Sequence, residues 1–232
     1  MTKDFFATAS LVLVSLSVLQ AQAPADGSRK IEGGGITVQG WTGKIDANEE
    51  RAGQVLQNAK FAQQAGAFQI TTGPAVSYWN PANTASGNYT VKATFTEPQY
   101  MNVNTHPHPY GILIAGNDLG TAQQSYLYCA AYGNGNFIVR GFGPQPFQMN
   151  GQGEANAAVH KAAARLQPVT QEIALSVKGD RVECNINGTV VASYERSALV
   201  LSGKLKSLSG IYGLRFAHNT DVNVRGFMMI KN

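Results

Sequence analysis

The sequence has 232 residues and four histidines, three of which fall in two short turn-like segments. His106-Pro107-His108 precedes an apolar strand opening at Tyr110, and His218-Asn219-Thr220-Asp221 lies between the last two strands. Imidazoles bind divalent transition ions and move protons near neutral pH, and a neighbouring carboxylate can share either task. His108, His218 and Asp221 are therefore the candidate acid–base residues, provided the two turns meet. His106, His108 and Asp118 are the candidate metal ligands, and the cofactor expectation is none or a divalent metal ion. Pro107 holds the first pair extended, which works against both rings reaching one ion in the way a helical i, i+4 pair does. Asn117-Asp118, followed by Gly120, also has turn composition. The plainer reading of all these residues is a set of turns bonding local backbone.

A second constellation is aromatic. Tyr126, Tyr128 and Tyr132 recur at even spacing on one strand and so share a face. Phenol rings beside neutral amides suit a saccharide, whose C–H faces are apolar and whose hydroxyls want uncharged donors and acceptors. The candidate ligand-binding residues are Tyr126, Tyr128, Tyr132, Trp79 and Asn80, with carbohydrate the expected partner. The same spacing describes rings packed into a core, which is the stronger reading for Trp41. Acidic residues cluster once, in Asp46-Ala47-Asn48-Glu49-Glu50, a stretch that reads as a loop. No nucleophile elbow, phosphate-binding glycine loop or Cys-His pairing at a recognised spacing is present.

Composition narrows the partners. Charged residues make up 14 % of the chain, against roughly 25 % in an ordinary soluble domain. Asn and Gln, 17 and 16 in number, fill the gap, so the surface is neutral and polar. The net charge of +4 comes from scattered Lys and Arg, which excludes a phosphate-tracking nucleic-acid face. A hydrophobic fraction of 44 % is enough for a core. Residues 1–23 read as a signal peptide: Lys3, an apolar stretch from Leu11 to Leu19, then Ala21-Gln22-Ala23 as the cleavage site. A buried first helix is the alternative. No apolar run reaches the roughly 20 residues of a transmembrane segment. The expected organisation is thus a leader at 1–23, a flexible stretch at 24–35 ending in Gly33-Gly34-Gly35, and one domain at 36–232. The expected location is secreted or periplasmic. In that setting Cys129 and Cys184 could form a disulfide, although both lie in alternating apolar strands where buried free thiols are the simpler expectation.

The elements that carry these residues are strands. Tyr89, Val91, Ala93 and Phe95 alternate with Thr90, Lys92, Thr94 and Thr96, the pattern of a half-buried strand. Ile173 to Lys178, Arg181 to Asn187 and Thr189 to Tyr194 repeat it, joined by Gly179-Asp180 and by Asn187-Gly188. The Asn-Gly pair predicts a type I′ hairpin turn, which needs positive φ at both residues. Further strands are expected over Ile36 to Ile45, Ala67 to Thr72, Tyr110 to Ala115, Ser125 to Tyr132, Phe137 to Phe142, Gly210 to Phe216 and Asp221 to Ile230. The fold class is all-β, a two-sheet jelly-roll β-sandwich. Pro144 to Pro168 interrupts the alternation as one helical or loop insertion, its Ala-rich centre from Glu154 to Leu166 having helix composition.

Several short motifs in order resemble the concanavalin A-like lectin/glucanase superfamily, and within it the laminin-G-like sandwiches that include the 3-keto-disaccharide hydrolase domain family of secreted bacterial proteins. They are Gly40-Trp41-Thr42-Gly43, Gly73-Pro74-Ala75 leading to Tyr78-Trp79-Asn80-Pro81, Ser86-Gly87-Asn88-Tyr89-Thr90, Tyr110-Gly111-Ile112 and Ser125-Tyr126-Leu127-Tyr128. The most specific element is the hairpin around Asn187-Gly188, followed by Gly213-Leu214-Arg215-Phe216 and a closing Val222 to Phe227 strand. The resemblance implies a concave sheet that holds sugar in lectins and glycosidases of this superfamily. The Glu-x-Asp-x-x-Glu strand of its glucanases is missing, so paired-carboxylate hydrolysis is not implied. A secreted carbohydrate-binding protein is the leading expectation. The alternatives are a hydrolase or lyase acting on a modified disaccharide of the 3-keto-glycoside type, and a structural or adhesion domain without a sugar site.

Overall fold

The computed structural model describes residues 27–232. The expected leader, 1–23, and the first residues of the 24–35 stretch lie outside them. In chain order the strands are β1 (Gly35–Ile36), β2 (Thr42–Ile45), β3 (Lys60–Gln64), β4 (Ala67–Thr71), β5 (Val76–Ala85), β6 (Tyr89–Glu97), β7 (Tyr110–Asn117) and β8 (Ser125–Ala131). They continue as β9 (Asn136–Phe142), β10 (Pro146–Gln148), β11 (Glu154–Ala155), β12 (Val169–Lys178), β13 (Arg181–Ile186), β14 (Thr189–Glu195), β15 (Gly210–Phe216) and β16 (Asp221–Lys231). Two short helices, α1 (Ala47–Arg51) and α2 (Arg196–Leu199), join them. Among the described residues no helix is long and apolar enough to cross a membrane.

Two sheets stack face to face. The back sheet runs β1-β3-β4-β16-β6-β12-β13-β14, and the front sheet runs β10-β9-β8-β7-β15-β5-β2 with β11 beside β9. All pairings are antiparallel except β1 with β3. The inner faces close one core: Val91 and Phe95 from β6 and Ile173 and Leu175 from β12 meet Ile112 and Ile114 from β7, Leu127 and Cys129 from β8, and Leu214 and Phe216 from β15. The alternation of β6 thus survives as strict burial of Tyr89, Val91, Ala93, Phe95 and Glu97. The β13–β14 hairpin turns on Asn187 and Gly188, with φ of 51° and 84°, the two positive values that a type I′ turn demands.

Two expectations need correction. The cysteines are not free thiols: Cys129 of β8 and Cys184 of β13 form a disulfide with Cα atoms 6.1 Å apart. Each faces inward from a different sheet, so the alternation that buried them also aimed them at one another. The Ala-rich stretch from Glu154 to Leu166 forms no helix. Its backbone bonds are taken by neighbouring strands and loops instead: His160 N donates to Gln171 Oε1 at 3.0 Å and Ala162 N to the Gly133 carbonyl at 2.8 Å. Val159, 2 % exposed, anchors it in the core. The β5 strand runs through Pro81; β2 pairs only with Val76 to Trp79, so the missing N–H falls beyond that ladder.

Candidate functional site

The outer face of the front sheet carries the residues the sequence singled out. Alternation puts Tyr126, Tyr128 and Ala130 of β8 on it, beside Leu113 of β7 and Ile138 of β9, with Leu119, Tyr132 and Phe142 packed against them. Tyr126 forms the sealed floor: it is 1 % exposed, and its hydroxyl is 2.9 Å from Ser77 Oγ. Tyr128 lies higher, bordering two adjoining hollows of about 380 and 770 Å3 that also share Asn48, Arg140 and Arg215. Tyr132 lines the smaller one. Trp79 borders a third hollow, of about 710 Å3, which meets the largest at Lys44, Glu50 and Thr121. Asn80 lines none of them; its Oδ1 accepts the Ala82 N–H at 2.9 Å.

Sequence reasoning missed the charges that organise this face. Arg215 of β15 lies between Tyr128 and Phe142, its guanidinium carbon 5.5 Å from each ring centroid. It donates to both oxygens of Asp46, at 2.6 and 2.5 Å. Burial penalises the charged guanidinium, but Asp46 beside it and the Tyr126 and Tyr128 oxygens more than offset that and hold Arg215 raised above its ordinary value. The pair fastens α1 over the strand floor, because Asp46 is also the N-cap residue of that helix. Gly111, in register with Arg215 on the next strand, lies against the Cys129 and Ala130 backbone of β8, where a Cβ would collide. Burial raises the Tyr128 phenol as well, with Arg215 and Arg140 pulling it partly back. Arg140 of β9 forms no ion pair among the described residues; it donates to the Gly151 carbonyl at 3.3 Å, and its buried Nε has no partner. The signal for these arginines was available in their odd places on otherwise apolar strands, Gly-Leu-Arg-Phe and Phe-Ile-Val-Arg.

The histidine turns do meet. His106, His108 and His218 offer ligand atoms that all lie within 4.8 Å of one another, at the end of the smaller hollow. Pro107 does not keep the first two rings apart: their Nε2 atoms are 2.9 Å from each other. His108 stacks on His218 with ring centroids 4.2 Å apart. Asp221 does not join them, since its carboxylate pairs with Arg29 at 2.6 Å. Asp118 is elsewhere too, bonded to Lys206. The carboxylate that stands behind the cluster is Glu49 of α1, 8 % exposed, which accepts from Ser28 Oγ at 2.7 Å and from Ala75 N at 3.3 Å. Thus Asp46 and Glu49, at the start of α1, are both engaged, one with Arg215 and one beside the imidazoles.

Two stacked, curled sheets in this order define a jelly-roll β-sandwich. The chain is similar to a protein of unknown function with a galectin-like fold from Bacillus subtilis, with TM-score 0.55 and 12 % identity over 82 % of this chain and 89 % of that one. It is also similar to the laminarinase catalytic domain from Thermotoga maritima MSB8, with TM-score 0.52 and 10 % identity over 82 % and 91 %. The carbohydrate binding module CBM66 from Bacillus subtilis gives TM-score 0.50 and 10 % identity over 86 % and 99 %. No protein-family model matches the sequence, and no curated protein does.

Proposed function

We propose that the protein binds carbohydrate on the outer face of the front sheet, in the hollows that meet at Tyr128. The observation that carries this reading is the place of Tyr128, which is 7 % exposed and lines both hollows together with Arg140 and Arg215. Amides of Asn48, Gln124, Gln145 and Gln148 line the larger one. A phenol ring with amides and charged groups around it offers contacts for a pyranose face and its hydroxyls. A carbohydrate binding module and a laminarinase among the similar folds support the same reading. Export to a secreted or periplasmic location, with 1–23 removed, fits a disulfide-bonded sugar binder.

Glycan-array screening followed by calorimetric titration tests it. The expected result is one saccharide class bound, with Tyr128→Ala and Arg140→Ala each weakening binding about tenfold or more, near 1.4 kcal/mol. Arg140→Ala lies outside the sealed floor and guards against misreading a folding defect. A panel with no binder, or binding that both variants leave unchanged, sinks the proposal.

The imidazoles at the end of the smaller hollow favour one second reading, a hydrolase or lyase acting on a modified disaccharide of the 3-keto-glycoside type. Incubation with 3-keto-glucosides should then give turnover that His108→Ala abolishes; no turnover with or without chelator removes it.

A further inference from the structure

The two histidine-bearing turns are built to hold their rings in one place. Asn104 Nδ2 donates to the Asn219 carbonyl at 2.8 Å, and Ala217 N donates to the Pro109 carbonyl at 3.0 Å, tying the loop before β7 to the β15–β16 turn. Pro107 and Pro109 fix φ on either side of His108. His108 is 6 % exposed, so its orientation is set by these contacts rather than by solvent.

The hydrogen bonds also assign the proton on two of the rings. His108 Nδ1 lies 2.6 Å from the His218 carbonyl, which can only accept, so Nδ1 carries the proton and, in the neutral ring, Nε2 the lone pair. Ser28 Oγ gives its single proton to Glu49 at 2.7 Å and lies 3.2 Å from His218 Nδ1. That contact is therefore made by the His218 N–H, which again leaves the lone pair on Nε2. A backbone carbonyl behind one imidazole and a carboxylate-bound hydroxyl behind another are the outer partners that orient histidines toward a metal. His108 Nε2 then faces His106 Nε2 at 2.9 Å, close to the roughly 2.9–3.4 Å between neighbouring nitrogens on an ion with metal–nitrogen bonds of about 2.0–2.1 Å.

We propose that His106, His108 and His218 form a site for one divalent transition-metal ion of the zinc kind. Three imidazole nitrogens and no carboxylate in the group select such an ion over Ca2+ or Mg2+, which require oxygen ligands. The ligand atoms lie within 4.8 Å of one another, and His106 is the exposed member of the three. Three protein ligands leave a coordination position, and the hollow lined by Tyr128, Tyr132 and Arg140 adjoins it. The proposal holds whether or not that hollow receives a saccharide.

Zinc and cobalt themselves are the probes. Purified protein stripped with chelator is titrated with Zn2+ by calorimetry and with Co2+ by visible absorption. We expect one ion per chain, ligand-field bands of a nitrogen-bound Co2+ ion, and no competition from a hundredfold excess of Ca2+. His106→Ala and His218→Ala should each weaken Zn2+ binding at least a hundredfold. Ser28→Ala, which removes no ligand, should weaken it about tenfold to a hundredfold. Zn2+ should raise the melting temperature of the wild type and not that of His218→Ala. Absence of stoichiometric binding, or affinity unchanged in both His106→Ala and His218→Ala, overturns the proposal. Melting curves of the metal-free variants identify any that fail to fold, and exposed His106 keeps the test decisive if a buried position does not tolerate alanine.

Discussion

The two faces of the front sheet are both buried at β8, yet they are built from different chemistry. Inward, Leu127, Cys129 and Ala131 meet the back sheet in a dry core. Outward, Tyr126, Tyr128 and Ala130 lie under α1 and the flanking loops, and the deepest polar groups there are matched, Tyr126 with Ser77 and Arg215 with Asp46, while Arg140 Nε is left without a partner. The first face is held by area removed from water, the second by rings whose polar tips find partners and by one buried ion pair. Burial alone thus fails to separate core from site; the polar atoms at the ends of the buried groups do so.

The comparison breaks most easily at the ion pair. Arg215→Met should cost about 3–5 kcal/mol in urea unfolding, because it strands the Asp46 carboxylate under α1. The double variant with Asp46→Leu should recover much of that loss, and a single variant as stable as wild type would show that the outer face does not depend on the pair. The inner face has its own cross-link. Reducing Cys129–Cys184, or making Cys184→Ser, reopens a 55-residue separation. The loss expected from loop entropy is about 4 kcal/mol, read as a lowered melting temperature.

One acid tests how dry the inner face is. Alternation along β6 puts Glu97 on that side, where Oε1 accepts from Met101 N at 3.1 Å and Oε2 has no partner. Burial pushes its pKa up to about 7, with the Met101 bond opposing and Asp221 adding slightly. Between about pH 4.5 and 7 the folded chain keeps this proton while the unfolded chain releases it, so stability falls as pH rises through that window. The decline from this group is about 3 kcal/mol, and Glu97→Gln should flatten it. A wild-type profile that is already flat would mean the carboxylate is hydrated. The smallest effect belongs to the floor of the outer face: Tyr126→Phe deletes the bond to Ser77 and should cost about 1 kcal/mol while leaving saccharide and metal binding intact.

Much of the architecture was legible in the residues. The Asn187-Gly188 turn, the alternation of β6 and the β12 to β14 meander follow from φ preferences and period two, which act locally. The pairing of Cys129 with Cys184, the irregular path of Glu154 to Leu166 and the strand through Pro81 depend on which strands become neighbours, and no local rule supplies that. The site was half legible. Tyr128, Tyr132, His106, His108 and His218 stand where chemistry-bearing residue types suggested a meeting. Asp221 and Asp118 pair with Arg29 and Lys206 instead of joining the imidazoles, whereas Glu49 and Asp46 lie in a stretch whose spacing reads as a loop. Arg140 and Arg215 gave a weak signal, a lone cation closing an apolar run, which only the outer face explains.

Cys129 is the chain neighbour of Tyr128, so the sulfur bridge is riveted to the rear of the very plank on which the saccharide is proposed to rest. Conditions that cut the rivet therefore loosen the plank from behind without touching anything at its front. Under the proposed function, recognition is then tied to the redox setting around it: chains whose Cys129–Cys184 bridge is kept reduced should hold a saccharide less firmly than oxidised ones, which titration with and without reductant reads out.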